Sequence, residues 1–234
     1  MMSATDMRAN GPQDDPVQLV PDVISVFPLP ATVLLPGELL PLHVFEPRYR
    51  ALTRDALAGE RVLGIVAIRP GHEAEAAGSP PLVEVGCLGF IAQHRELPDG
   101  RFLLWLVGLE PFRIEHELTA GTPYRTVKVS YLPTAEPGAG LASIIPLRRE
   151  LKSLLPSLLD TDVATRRSMD RQLEDVTDSQ LVALACQTLE LDAERKQQVL
   201  ETPSMVGRYL AVFEDLYARL EQQPLAEVDP DQLN

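Results

Sequence analysis

Residues 24–50 read ISVFPLPATVLLPGELLPLHVFEPRYR, and the parsing of this stretch decides the fold. Prolines at 28, 30, 36, 41 and 47 divide it, Pro21 leads into it, and large apolar residues fill the intervals. Proline donates nothing to a β ladder, so the pieces between are short strands at sheet edges, or loops. Val23–Phe27 reads as a strand. Val33–Leu35 runs into a Pro36-Gly37 turn, and Leu39–Phe45 is strand-like again across Pro41. At Glu46-Pro47 the period changes. Pro47 suits the first helical position, and Tyr49, Leu52, Ala56 and Leu57 recur at helical spacing. The spacing predicts a helix over 47–58, with Gly59 as its stop.

Downstream, the pattern stays β-like to Leu132. Val62–Ile68 and Leu82–Glu96 are strands, the second with Gly86 and Gly89 marking bulges or bends. Pro98-Asp99-Gly100 is a hairpin turn. Arg101–Leu109 is strongly apolar and reads as a central strand. Phe112–Leu118 and Tyr124–Leu132 follow as separate strands. Many short strands, glycine bends and one small helix imply a partly closed barrel. Pro133–Gly140 is a linker by composition, and helical periodicity follows. Leu141–Leu159 is one helix or two pieces, divided by Pro146 and Pro156. The segment 162–176 is charged and weakly periodic. Thr177-Asp178 caps a helix over 179–191, Asp192 caps a short one to Glu201, and Thr202-Pro203 opens a last helix to Gln222. On that helix Val206, Tyr209, Leu210, Phe213, Leu216, Tyr217 and Leu220 form an apolar stripe. Residues 1–20 read as a disordered leader and 223–234 as a flexible tail.

The chain has 234 residues, 45% of them hydrophobic, enough for a real core. Its net charge of −13 opposes binding to DNA and other nucleic acids, which rests on phosphate neutralisation. That charge favours a monomer or small oligomer. Cys87 and Cys186 are too few for a disulfide framework, and no apolar run nears the roughly 20 residues of a membrane helix. The N-terminus has no apolar signal-peptide core, so a cytoplasmic location is expected.

The stretch VFPLPATVLLPGELLPLHVFEPRYR resembles the opening of the LON domain, the N-terminal substrate-recognition domain of Lon protease, and of standalone proteins made of that domain. The likeness continues through VGCLGFIAQHRELPDGRFLLWLVGLEPFRI and YRTVKVSYLP. ERKQQVLETPSMVGRYLAVFEDLYARL extends it into the helical half, so that it spans about residues 22–222. The resemblance implies an α+β fold: a PUA-like β pseudobarrel with one short helix, over 21–133, then an α-helical bundle over 141–222. It implies binding of unfolded or extended protein segments, in a groove between barrel and helices. No G-x-x-x-x-G-K-[ST] phosphate loop is present and no Gly precedes a Lys, so an ATP-dependent protease is not expected of this chain. No cofactor motif is read either. The alternatives are an enzyme or small-ligand binder with a pocket the sequence hides, or an RNA-binding PUA-like protein.

The candidate polar residues are few. Glu46, Arg48 and Arg50 either tie the helix to the barrel or meet a peptide carboxylate or carbonyl. His43 and Glu46 are three apart, but a metal site needs three or more converging ligands. Glu115-His116-Glu117 alternates on a strand, with the carboxylates sharing a face. His72 and His94 have no partners in sequence. Cys87 and Cys186 fit small buried residues. The segment 28–41 offers an edge that an extended peptide could join by strand addition.

Overall fold

The computed structural model describes residues 21–76, 78–132, 140–158 and 173–222. The leader 1–20, residues 133–139 of the linker, most of the segment 162–176 and the tail 223–234 lie outside the described residues. Six strands form one sheet: β1 (Val23–Leu29), β2 (Leu39–Val44), β3 (Val62–Ala67), β4 (Val85–Glu96), β5 (Phe102–Leu118) and β6 (Arg125–Tyr131). Their order is β2-β5-β4-β3-β1-β6, and β5 also pairs with β6, which closes five of the strands into a barrel. The β1–β3 pair is parallel and the others antiparallel.

The closing strand is β5. It was expected as two strands broken near Pro111, and instead runs unbroken for 17 residues. Its first half pairs with β2 through Phe102–Val107, and its second half with β6 through Phe112–Leu118. Pro111 sits at the changeover, opposite Cys87 of β4, where the register slips between Cys87 and Gly89. A proline costs a ladder bond only where a partner needs its N–H, and here the partner changes. Pro28 obeys the same rule: it lies in β1, past Val26, where pairing with β6 ends.

Helix α1 spans Pro47–Ala58 and starts with a proline, as the sequence predicts. Its end also falls where the sequence places it. Gly59 caps it with a φ of −108°, and Arg61 takes the left-handed conformation at φ 62°. The helical half begins with α2 (Gly140–Leu154), which runs through Pro146 and gives way to a 3-10 turn at Leu155–Leu158 around Pro156. Next comes α3 (Asp178–Thr188), opened by a capping box between Thr177 and Gln180, then α4 (Ala193–Glu201), capped by Asp192. The last helix, α5, spans Met205–Gln222. Thr202 does not open it: Thr202 closes α4, with its N–H and its hydroxyl both donating to Gln198 O. Ser204 caps α5 instead, its Oγ accepting from Gly207 N. The buried face of α5 is Met205, Arg208, Tyr209, Val212, Phe213 and Leu216, while Leu210 of the expected stripe is exposed and Tyr217, partly exposed, stacks on Phe213 and donates to Glu150.

Strands β1, β3 and the first half of β4 are buried on both faces, which explains their unbroken apolar runs. One face closes on the barrel interior with Ile24, Val26, Val66, Leu88, Phe112 and Val127. The other joins a larger core that continues from Phe27, Leu35 and Leu104 into Leu181, Val199 and Tyr209 of the helices. Each such side chain contributes roughly 1.5–3 kcal/mol by leaving water. Barrel and helices therefore share one core.

Candidate functional site

The barrel meets the helices at the Pro36-Gly37 turn. Gly37 has a φ of 79°, and a Cβ there would lie 2.8 Å from Gln180 N. Gly37 N donates to Gly108 O at 2.8 Å, and Gly108 N donates to Glu38 O at 2.9 Å. Gly108 is needed for this approach, because a Cβ on it would overlap the Leu35 carbonyl. The turn buries the Glu38 side chain to 6% exposure. Its carboxylate accepts from Leu35 N at 2.9 Å, and from Gln187 Nε2 and Lys196 Nζ at 3.0 Å each. A buried charge is tolerated only when paired and hydrogen-bonded, and these partners meet that demand. A second tie runs from Gln197 Nε2 to Val85 O at 2.9 Å.

Beside this junction lies a cleft of about 610 Å³ between barrel and helices. Its walls include Pro36, Leu109, Tyr131 and Leu132 on the barrel and Thr177 and Gln180 on α3. Glu110, exposed, and Ser179 also line it. Thr177 and Gln180 are occupied by capping each other's backbone, at 2.9 and 3.2 Å. Tyr131 donates to Pro21 O at 2.8 Å, and burial pushes its phenol up to about 12.

The outer face of β2 and β5 has a different character. β2 ends the sheet, so one side of it pairs with β5 and the other with no strand. The Gly108–Glu38 bond sets the parity of the ladder, which turns the backbone of Leu39, Pro41 and His43 away from β5. Outside the β2–β5 ladder, no backbone hydrogen bond among the described residues reaches these three positions. Pro41 thus sits where its missing N–H breaks no ladder bond. The side chains of Leu39, Pro41, His43 and Phe45 are all exposed, Phe45 to 60%. Opposite them, Leu103, Trp105 and Val107 of β5 are half-buried on the same face. Leu109, the next residue of that row, also lines the cleft. The row is thus an apolar track from the cleft toward the β4–β5 hairpin.

The sequence-derived candidates divide. Arg48 is fully engaged: Nε donates to Glu46 Oε2 at 3.0 Å, Nη1 to Gly78 O at 2.8 Å and Nη2 to Ala76 O. Its guanidinium also lies 4.5 Å from the Tyr49 ring centroid. Arg50 points the other way, against the hairpin turn at Gly100, and its buried Nε has no hydrogen-bond partner. His43 and Glu46 do not converge, since His43 lies beside Phe45, with ring centroids 6.0 Å apart, and Glu46 bonds Arg48. His72 pairs with Glu75 at 2.9 Å, and His94 is exposed on β4. The register of β5 shifts between Ile114 and His116, so the alternation expected of Glu115-His116-Glu117 ends there; Glu117 pairs with Arg125. Among the described residues no three His, Cys, Asp or Glu converge to hold a metal. No described helix is long and apolar enough to cross a membrane. Cys87 and Cys186 are buried, and burial raises both thiols, Cys186 to about 12.

Two polar clusters were not anticipated. Glu38 is one; its signal is a lone carboxylate inside the apolar run LLPGELLPL. The other joins three helices. Asp178 accepts from Arg148 Nε at 2.7 Å and from the Tyr209 hydroxyl at 2.6 Å. Burial alone would raise the Asp178 carboxyl, but the Arg148 and Tyr209 bonds outweigh it and hold it below its ordinary value. Burial and the same carboxylate push the Tyr209 phenol up.

Similarity to known proteins agrees with this architecture. The Lon protease of Anaeromyxobacter dehalogenans is 29% identical over 209 residues, covering 86% of this chain and 24% of that protein. Lon protease 2 of Myxococcus xanthus is 27% identical over 203 residues, with the same coverage. The chain spans about a quarter of the length of these curated relatives. Among solved structures, the N-terminal domain of Mycobacterium avium complex Lon protease superposes with a TM-score of 0.64 at 21% identity, covering 83% of this chain and 98% of that one. The Lon N-terminal domain protein of Xanthomonas campestris gives 0.55 at 22% identity, covering 86% and 99%. At these identities the two structures speak for the fold alone. The profile of the ATP-dependent protease La (LON) substrate-binding domain matches residues 23–216, most of the chain, and on that ground the chain belongs to the LON substrate-binding domain family.

Proposed function

We propose that this chain is a non-catalytic module that binds extended, apolar segments of other proteins. The observation that carries this reading is the open side of β2 beside an outward apolar row. Leu39 and His43 offer free backbone N–H groups there, and Leu39, Pro41 and His43 offer carbonyls. A segment in β conformation gains main-chain hydrogen bonds from such an edge, and its alternate side chains gain apolar contact with Phe45, Leu103, Trp105 and Val107. The row leads into the cleft through Leu109, so a longer segment continues toward α3. Burial and backbone pairing supply the affinity, and no covalent step is involved. The family name, a substrate-binding domain of an ATP-dependent protease, supports the same class of ligand. Two buried, unpaired thiols suit a reducing cytoplasm.

Trp105 is the single tryptophan and lies on the proposed track. Its fluorescence therefore reports binding directly. Titration with a chemically unfolded model protein should shift its emission to the blue and saturate in the micromolar range. A Phe45→Ser, Leu103→Ser variant should bind about tenfold more weakly, a loss near 1.4 kcal/mol. Unchanged Trp105 emission, with no complex by an independent method, would refute the reading.

A further inference from the structure

We propose that Glu110 makes the cleft between barrel and helices a site for a lysine or arginine side chain of the bound segment. The inference rests on the protein-binding reading above and adds the chemistry of the residue that enters the cleft. Its basis is a bulge in β5. Cys87 and Gly89 of β4 are two residues apart, while their partners on β5, Pro111 and Gly108, are three apart. Strand β5 thus carries one extra residue at this point. In a regular strand Leu109 and Glu110 would point to opposite faces, and a bulge re-aims one of such a pair. Here both are exposed and both line the cleft. Glu110 makes no hydrogen bond and no ion pair among the described residues.

The rest of the cleft fits the same ligand. Pro36, Leu109 and Leu132 give it apolar walls, and Ser179 adds a hydroxyl with no hydrogen-bond partner among the described residues. Thr177, Gln180 and Tyr131 are already engaged. The free side-chain groups are thus a carboxylate and a hydroxyl, and no described wall residue is cationic. The charged groups that act on the Tyr131 phenol are Glu60, Asp22 and Glu110, all carboxylates, so the field at that wall favours a cation. Lysine and arginine lay an apolar stem on apolar surface and present a donating, charged head beyond it. An apolar side chain would cover Glu110 without matching its charge, and an acidic one would repel it. Val107 and Glu110 are three residues apart, about 10 Å in an extended strand. The basic residue therefore lies about three positions from the segment's contact with Val107.

Three peptides of one apolar sequence, differing only in a Lys, Ala or Glu about three positions from the apolar run, test this by Trp105 fluorescence. The Lys peptide should bind about fivefold more tightly than the Ala peptide, and the Glu peptide more weakly than both. In a Glu110→Gln variant the Lys preference should vanish, and in Glu110→Lys the order should reverse. Glu194→Gln removes the same charge from an exposed position outside the cleft and should keep the preference. Persistence of the preference in Glu110→Gln, or its loss in Glu194→Gln, would assign it to the net charge of −13 and overturn the inference. Glu110 is exposed and unpaired, so its variants should melt with the unaltered protein. A clear fall in melting temperature, with the preference intact, would give the carboxylate a structural role and also overturn the inference. Equal binding of all three peptides to the unaltered protein would overturn it while leaving the protein-binding reading in place. Failure of every peptide to bind would take down both.

Discussion

The turn around Glu38 and the face around Trp105 lie on the same two strands and treat their groups in opposite ways. At the turn a charge is buried and each carboxylate oxygen has a partner. On the face, apolar side chains and backbone groups of β2 are left to solvent. The first arrangement is what a fold needs to hold two lobes in register. The second costs free energy in isolation, since exposed strand edges and apolar rows invite association. The junction is built for stability, and the proposed binding edge lies on the strand side turned away from it.

The comparison breaks most visibly at Glu38. Glu38→Ala leaves Lys196 only 18% exposed and without its carboxylate, and should destabilise the protein by about 3–5 kcal/mol in urea unfolding. Pairing Glu38→Leu with Lys196→Met should recover much of that loss, because an apolar pair fills the site without an unmatched charge. If Glu38→Ala unfolds like the unaltered protein, the junction is not where stability resides.

Asp178 gives the next largest effect. Asp178→Asn weakens charged hydrogen bonds from Arg148 and Tyr209 and should cost about 2 kcal/mol. The pH dependence has a definite sign. The folded carboxyl lies below its unfolded value, so its stabilisation is complete above about pH 4 and fades as the pH falls toward the folded value. The unaltered protein should lose stability across that acid range, and Asp178→Asn should show a shallower slope in the same melts.

Phe45→Ser sharpens the contrast from the other side. Phe45 is 60% exposed, so the change should alter stability by no more than about 0.5 kcal/mol while weakening capture of unfolded protein. Loss of both together would mean that the face is part of the core. The smallest effect concerns the thiols. Cys87 and Cys186 are buried and raised, so a thiol reagent at neutral pH should label neither in the native protein and both in denaturant. Labelling of Cys186 under native conditions would place an opening motion at the helical side of the junction.

Much of this was legible in local chemistry. Pro47 and the period of Tyr49, Leu52 and Ala56 give α1 at its observed bounds, and Thr177 and Asp192 mark the starts of α3 and α4. Local signals misled where two of them competed. Thr202-Pro203 reads as a helix opening, yet Thr202 completes α4, since its hydroxyl can bond back one turn and Ser204 stands two residues on. Pro111 reads as a strand break, yet β5 continues, because the loss of a donor matters only against a partner that needs it. On α5 the apolar count runs wider than the buried face, and the helical period alone cannot say that Arg208 turns inward while Leu210 turns outward.

The candidate site was less legible for a physical reason. Sequence placed Arg48 and Arg50 together as equivalent candidates two residues apart. Successive helical positions point in different directions, and what each one meets comes from distant parts of the chain: Ala76 and Gly78 for Arg48, the Gly100 turn for Arg50. Glu38 likewise finds Gln187 and Lys196 about 150 residues on. The order of strands and helices, the caps of α3 and α4, the apolar runs and the family are legible in the sequence, because each depends on residues a few positions apart. Which charges are matched and which strand edge stays open depend instead on what folding brings to the other side.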